Sequence, residues 1–187
     1  SGALIALIVV GVIALIAVLW YIATRNGIIA SRNRVDESWS GIDVQLKRRH
    51  DLVPNLVETV KGYATHEQKV FEEVTKARAN AMAAQSVDET ASAESGLNRS
   101  LADLRAVAEQ YPDLKATENI QHLSRNLSEL EDEIQASRRI YNSNVQSYNT
   151  KIQQFPASIV ANQGGFTDRE FFEIEDAAER QTPNVSF

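Results

Sequence analysis

Residues 3–23, ALIALIVVGVIALIAVLWYIA, carry no charged side chain. As a helix that stretch measures roughly 32 Å, which matches a hydrocarbon core of about 30 Å. Backbone in lipid has no water to bond, so a segment of this kind is committed to helix. Trp20 and Tyr21 lie at one end, where amphipathic rings favour the headgroup layer, and Arg25 follows. A secretory signal would show a basic n-region, a shorter apolar stretch and a small-residue cleavage site, and none stands out. The segment is therefore expected to be a membrane anchor. Arg25, Arg32 and Arg34 follow the span and no Lys or Arg precedes it, so the positive-inside rule predicts a cytoplasmic location for the bulk of the chain. Three arginines are a modest signal, and the periplasmic side stays open.

The remainder of the 187 residues suffices for one domain with a sizeable core. A net charge of -6 argues against a general nucleic-acid binder. The absence of cysteine removes disulfides, thiolate metal sites and a Cys nucleophile. Prolines and glycines are few and strand-like alternation is hard to find, so the fold class is all-α.

Helical spacing then organises the chain. Val35, Trp39, Ile42, Leu46, Arg49, Val53, Leu56, Val60 and Tyr63 follow a 4-3 rhythm, a coiled-coil-like seam with one slot given to arginine. Only Asn26-Gly27 interrupts the run from the anchor into this seam. A second helix, about His66 to Gln85, is expected to bury Val70, Val74, Ala77 and Ala81, with Thr65 and Gln68 as a capping box. SVDETASAESG, residues 86–96, reads as a connection, partly helical through a Ser86–Glu89 capping box. The third helix uses Leu97, Leu101, Leu104, Ala108 and Tyr111 and ends at Pro112. The fourth, about Ala116 to Gln154 and roughly 58 Å long, has the seam Ile120, Leu123, Leu127, Leu130, Ile134, Ser137, Tyr141, Val145, Tyr148, Ile152 and Phe155. Beyond Pro156, NQGGF is a turn, and Thr167 with Glu170 is expected to cap a short helix through Phe171, Phe172 and Ile174. The architecture predicted is an N-terminal transmembrane helix (1–27), an elongated antiparallel bundle of about four helices (28–156) and a C-terminal tail with a short helix and an acidic segment (157–187).

The stretch LKRRHDLVPN holds the densest chemistry. Lys47, Arg48, Arg49 and His50 make nearly a turn of positive potential, which suits a phosphate or lipid headgroup. Asp43, four residues before Lys47, and Asp51 after His50 favour ordinary pairing on a solvated face. Arg49 differs because its seam slot faces neighbouring helices. Its guanidinium is expected to find a carboxylate or helix-end carbonyls, with Glu129 to Glu133 as candidates, and to fix register. Pro54 removes one helix hydrogen bond and crowds the His50 carbonyl at ~3 kcal/mol, and Asn55 is placed to bond the loosened backbone. Together they read as a joint and register device. Tyr141 and Tyr148 form an aromatic stripe whose simplest role is core filling, with Asn142 and Asn149 beside it to bond across helices.

Searches for catalysis are thin. His66-Glu67 begins like a zincin motif but Val70 stands where the second His belongs. None of His50, His66 and His122 has a Glu three residues before it, as a di-iron bundle requires. No catalytic residue, cofactor site or metal set emerges.

RVDESWSGIDVQLKRRHDLVPNLVETVKGYATHE, with YPDLKA, YNSNVQSYNTKIQQFP and the closing PNVSF, resembles the LemA protein family. The resemblance implies a bacterial single-pass protein of the inner membrane with a long antiparallel helical bundle and no established enzymatic activity. Related members occur in magnetosome formation, and others are often encoded beside membrane proteases of the heat-shock type. The expected function is a non-enzymatic, self-associating scaffold that organises membrane or membrane partners; the alternative is an adaptor presenting clients to a membrane protease or signalling protein. Expected partners are the bilayer, further copies of the chain through the small residues Gly2, Ala3, Ala6, Ala14 and Ala17, and a membrane protease or other membrane protein, but no nucleic acid. The acidic tail is expected to dock on a basic face of the first helix, with Phe171, Phe172 and Phe187 as apolar anchors.

Overall fold

The structure, a computed structural model, describes residues 2–173. Every regular element among them is helical: α1 (Gly2–Lys61), α2 (Gln68–Ala83), α3 (Val87–Glu109), α4 (Pro112–Lys115), α5 (Glu118–Gln153) and α6 (Ala157–Gln163). A long apolar helix thus precedes further helices that form a bundle. The final Phe187 and the acids Glu175, Asp176 and Glu179 lie outside the described residues.

Helix α1 runs unbroken through Asn26-Gly27. A lone glycine in a helix costs only about 1 kcal/mol relative to alanine, too little to stop a helix with strong formers on both sides. Its first 19 residues are unburied: Leu4, Leu7, Ile13 and Leu19 are all more than half exposed. Burial begins with Tyr21 and Thr24, half-buried, and is complete at Ile28, Ser31 and Val35.

The described residues pack as two compact units that do not follow their linear order, one of residues 2–39 and 140–169, the other of 40–139 and 170–173. In the first, α1 and the C-terminal part of α5 run antiparallel. Trp39 packs against Tyr141 with ring centroids 5.3 Å apart and the rings tilted by 57°, while Lys151 Nζ reaches back to the Gly27 carbonyl (3.1 Å) and Ser31 Oγ (2.7 Å). Val145, Tyr148, Ile152, Val160 and Ala161 are buried here.

In the second unit one apolar core joins α1 (Val53, Leu56, Val60), α2 (Phe71, Val74, Ala81), α3 (Leu97, Leu101, Leu104, Val107), Leu114 of α4 and α5 (Ile120, Leu123, Leu127). The seams read from the sequence are these buried rows, with two exceptions at their ends. Tyr63 is 47 % exposed and Phe155 is 82 % exposed, since each lies past the last helical turn of its element.

Helix boundaries differ from expectation at three places. Thr65 does not cap α2, which starts from Glu67 without a side-chain cap. The segment 86–96 is helix from Val87 onward: Ser86 Oγ accepts the Glu89 N–H while Glu89 answers to the Ser86 N–H, and both orphan donors are met. Small residues there are helix-compatible alanines and serines rather than a linker. Residues 167–173 are not helical, and the short helix is α6 instead, immediately after Pro156. Gly165, at φ +66°, turns the chain out of α6 in a conformation only glycine adopts freely.

Candidate functional site

In the second unit, α1, α2 and α3 meet around a set of charges inside the protein. Arg49 and Glu94 are 1 % and 0 % exposed and form an ion pair through Nη2 and Oε2. The other carboxylate oxygen of Glu94 meets His50 Nε2 at 2.6 Å. Arg49 Nη1 donates to Asn98 Oδ1 at 2.7 Å, while Arg49 Nε is buried without an acceptor. Both oxygens of Glu94 are thus occupied. Burial acts to raise the Glu94 carboxyl, but the His50 hydrogen bond and the charges of Arg49 and His50 outweigh it and hold it below the usual glutamate range.

Pro54 belongs to the same assembly. It has no N–H to give the His50 carbonyl one turn earlier, so that acceptor would be orphaned. Arg78 Nε of α2 donates to it at 2.6 Å. The proline gap in α1 is therefore the docking point for α2, and the Glu94 pair is the docking point for α3. Asn55, expected to mend the backbone, is exposed, and its own carbonyl accepts from Thr59 Oγ1.

The rest of the basic cluster is ordinary surface. Lys47 pairs with Asp43 at 2.6 Å and Arg48 with Glu133 of α5 at 2.8 Å, both exposed. Arg49 thus finds a carboxylate as expected, but not on α5. Glu94 was missed because its segment reads as a linker. The clue was available, since Glu94 stands three residues before Leu97, in phase with Leu101 and Leu104 on the buried face.

In the first unit the aromatic stripe is core. Tyr141 and Tyr148 are 2 % and 1 % exposed. The Tyr148 hydroxyl donates to the Thr167 carbonyl at 3.1 Å, and burial, opposed by Arg169 and Arg32, pushes that phenol upward. Asn149 bonds not to another helix but to the strap after α6. Its Nδ2 donates to the Arg169 carbonyl (2.9 Å) and its Oδ1 accepts the Arg169 N–H (2.8 Å), which is the pairing of a strand neighbour made by one side chain. Arg169 pairs in turn with Asp36, and Arg32 lies over the Phe166 ring at 5.7 Å. The tail phenylalanines belong to the second unit, where Phe171 is at the surface (39 % exposed) and Phe172 is fully buried.

The sequence model of the LemA family matches residues 38–187, which take in both the buried charge set and the strap. The chain belongs to the LemA family. Among curated relatives, Protein LemA of Metamycoplasma hominis is 31 % identical over 143 residues, covering 75 % of this chain and 65 % of its own. Magnetosome protein MamQ 2 of Paramagnetospirillum magneticum is 25 % identical over 208 residues, covering 97 % and 76 %. Magnetosome protein MamQ of Magnetospirillum gryphiswaldense is 23 % identical over 207 residues, covering 96 % and 75 %. These likenesses and the exposed apolar helix agree with a bacterial membrane-associated helical bundle.

Proposed function

We propose that this LemA-family protein is a non-enzymatic scaffold, held in the inner membrane of a bacterial cell by one transmembrane helix, that self-associates and organises membrane or membrane partners. The observation that carries the reading is the combination of a fully exposed apolar helix end with a bundle whose buried charges bond one another. Glu94 has both oxygens engaged, one of them by His50 Nε2. Such a set holds helices in register and leaves no group poised to attack a substrate. Relatives alike over nearly the whole chain carry the name magnetosome protein, which supports work within a larger cellular structure over turnover of a small molecule. Arg25, Arg32 and Arg34 after the span favour a cytoplasmic bundle.

The test is the mass of the full chain extracted in mild detergent and the polypeptides that accompany it. A uniform assembly of many copies without other proteins is the expected result. A monomer at every concentration overturns the scaffold reading.

A further inference from the structure

The register of α5 against α1 sets the level of the corner between α5 and α6. Three contacts fix the register of the two antiparallel helices in the first unit. Trp39 meets Tyr141, the Arg34 carbonyl accepts from Asn144 Nδ2 (3.4 Å), and Gly27 and Ser31 hold the Lys151 ammonium. Each step forward on α5 is a step back along α1 toward its apolar end. Phe155, four residues past Lys151, is therefore about 6 Å nearer the anchor. Extending the register places Gln154 to Pro156 level with roughly residues 23–26 of α1. The apolar run ends at Ala23, so that level is the headgroup layer. Burial along α1 fades at the same height, at Thr24 and Tyr21.

What the corner displays there suits lipid. Phe155 is 82 % exposed and Ile159 is 51 % exposed, while Val160 and Ala161 on the inner side of α6 are buried. A single exposed apolar side chain means little on a protein surface. Here, however, residues 152–167 contain no Asp, Glu, Lys or Arg in a chain that is 24 % charged. A helix end of this composition enters the headgroup layer without burying an ion, and an aromatic side chain such as Phe155 suits the apolar side of that layer. Arg25, exposed at the same level of α1, is a positive charge that anionic headgroups attract.

We infer that the α5–α6 corner dips Phe155 and Ile159 into the interfacial layer of the membrane that α1 spans, so that the first unit is held to the bilayer at two points. This rests on the membrane reading of α1. The two contacts together fix how the unit leans on the membrane, which a single helix leaves free to swivel.

The chain has no cysteine, so single labels are clean. Full-length Gln154→Cys, Glu37→Cys and Leu15→Cys would each carry an environment-sensitive fluorophore and be reconstituted into vesicles of phosphatidylcholine and phosphatidylglycerol containing doxyl-labelled lipid. The Gln154 label is expected to be quenched several times more strongly by shallow doxyl groups than the Glu37 label, and to lose that excess when Phe155→Asp and Ile159→Asp are added. Because Phe155 is nearly free of protein contact, the added substitutions should leave thermal unfolding in place. A Gln154 label that behaves like the Glu37 label while Leu15 is quenched by deep doxyl groups overturns the corner contact alone, and a docked copy or protein then covers these side chains. Quenching that persists in the doubly substituted chain overturns the assignment to Phe155 and Ile159. A Leu15 label that escapes quenching overturns the membrane reading and the inference with it.

Discussion

Arg49 illustrates how one side chain sets the energetics of its neighbours. Its position in an apolar seam makes its charge expensive to bury, and Glu94 compensates only while the pair is complete. Replacing one partner leaves the other charged in the core, so Glu94→Leu is expected to destabilise the bundle by about 3–5 kcal/mol in chemical unfolding. Adding Arg49→Met to Glu94→Leu should restore most of that loss, because two apolar chains of similar volume then fill the space. Arg49→Leu alone is expected to destabilise the bundle as well, since His50 is left as the sole partner of Glu94. A double variant no more stable than Glu94→Leu would show that the pair itself, and not the stranded charge, sustains the bundle. The pH response follows from the direction at Glu94, whose folded value lies below its unfolded one. Its pairing therefore contributes fully at neutral pH and above the ordinary glutamate range, and it fades as pH falls through the folded value. Glu94→Gln should flatten the acid limb of the unfolding midpoint against pH relative to the parent.

At the scale of elements, Pro54 and Arg78 act as one device. The proline opens the helix ladder and the arginine of α2 closes it. Pro54→Ala restores a main-chain donor to the His50 carbonyl and should make Arg78→Ala much milder than it is in the parent. A double-mutant cycle on unfolding free energy is expected to give a coupling of about 0.5–3 kcal/mol; additive effects would refute the pairing. The exit from α6 is a second element with a sharp requirement. Gly165→Ala forces φ +66° on a residue with a side chain and should cost about 1–2 kcal/mol in unfolding free energy. Gly164→Ala would also press a methyl group against the Phe166 ring, 2.5 Å away. Much of this order was legible beforehand, because the 3.6-residue periodicity of α1 and α5 is long and repeats at every turn. The start of α3 was less so, since Ala and Ser mark helix and linker alike, and the phase of Glu94 with Leu97 and Leu101 marks a buried face only once the segment is known to be helix. The strap after Gly165 was also hidden. Its geometry depends on Asn149, 20 residues earlier, and local capping signals at Thr167 and Glu170 cannot outweigh that pairing.

For the molecule as a whole, the question is which surface drives the self-association proposed here. In the second unit large apolar side chains reach the surface singly, as Val44, Tyr63 and Met82 do, and scattered exposure of that kind needs no partner. Residues 4–19 are different, because nearly every large side chain there is more than half exposed around the whole circumference of α1. In lipid such a surface gains little from burial as such, so helices associate where small residues let backbones approach. Gly2, Ala3, Ala6, Ala14 and Ala17 offer those places, and a Cβ added at Gly11 would meet no other part of the chain. Association driven from the anchor predicts two results. Residues 24–187 alone should be soluble, helical and monomeric by light scattering, while the full chain in mild detergent forms an assembly. Ala14→Leu with Ala17→Leu should reduce the mass of that assembly without impairing insertion, measured by carbonate extraction of membranes. An assembly of unchanged mass in the substituted chain, or a multimer formed by residues 24–187, would move the contact from the anchor to the bundle, where the charged faces of α1 and α5 would have to supply it.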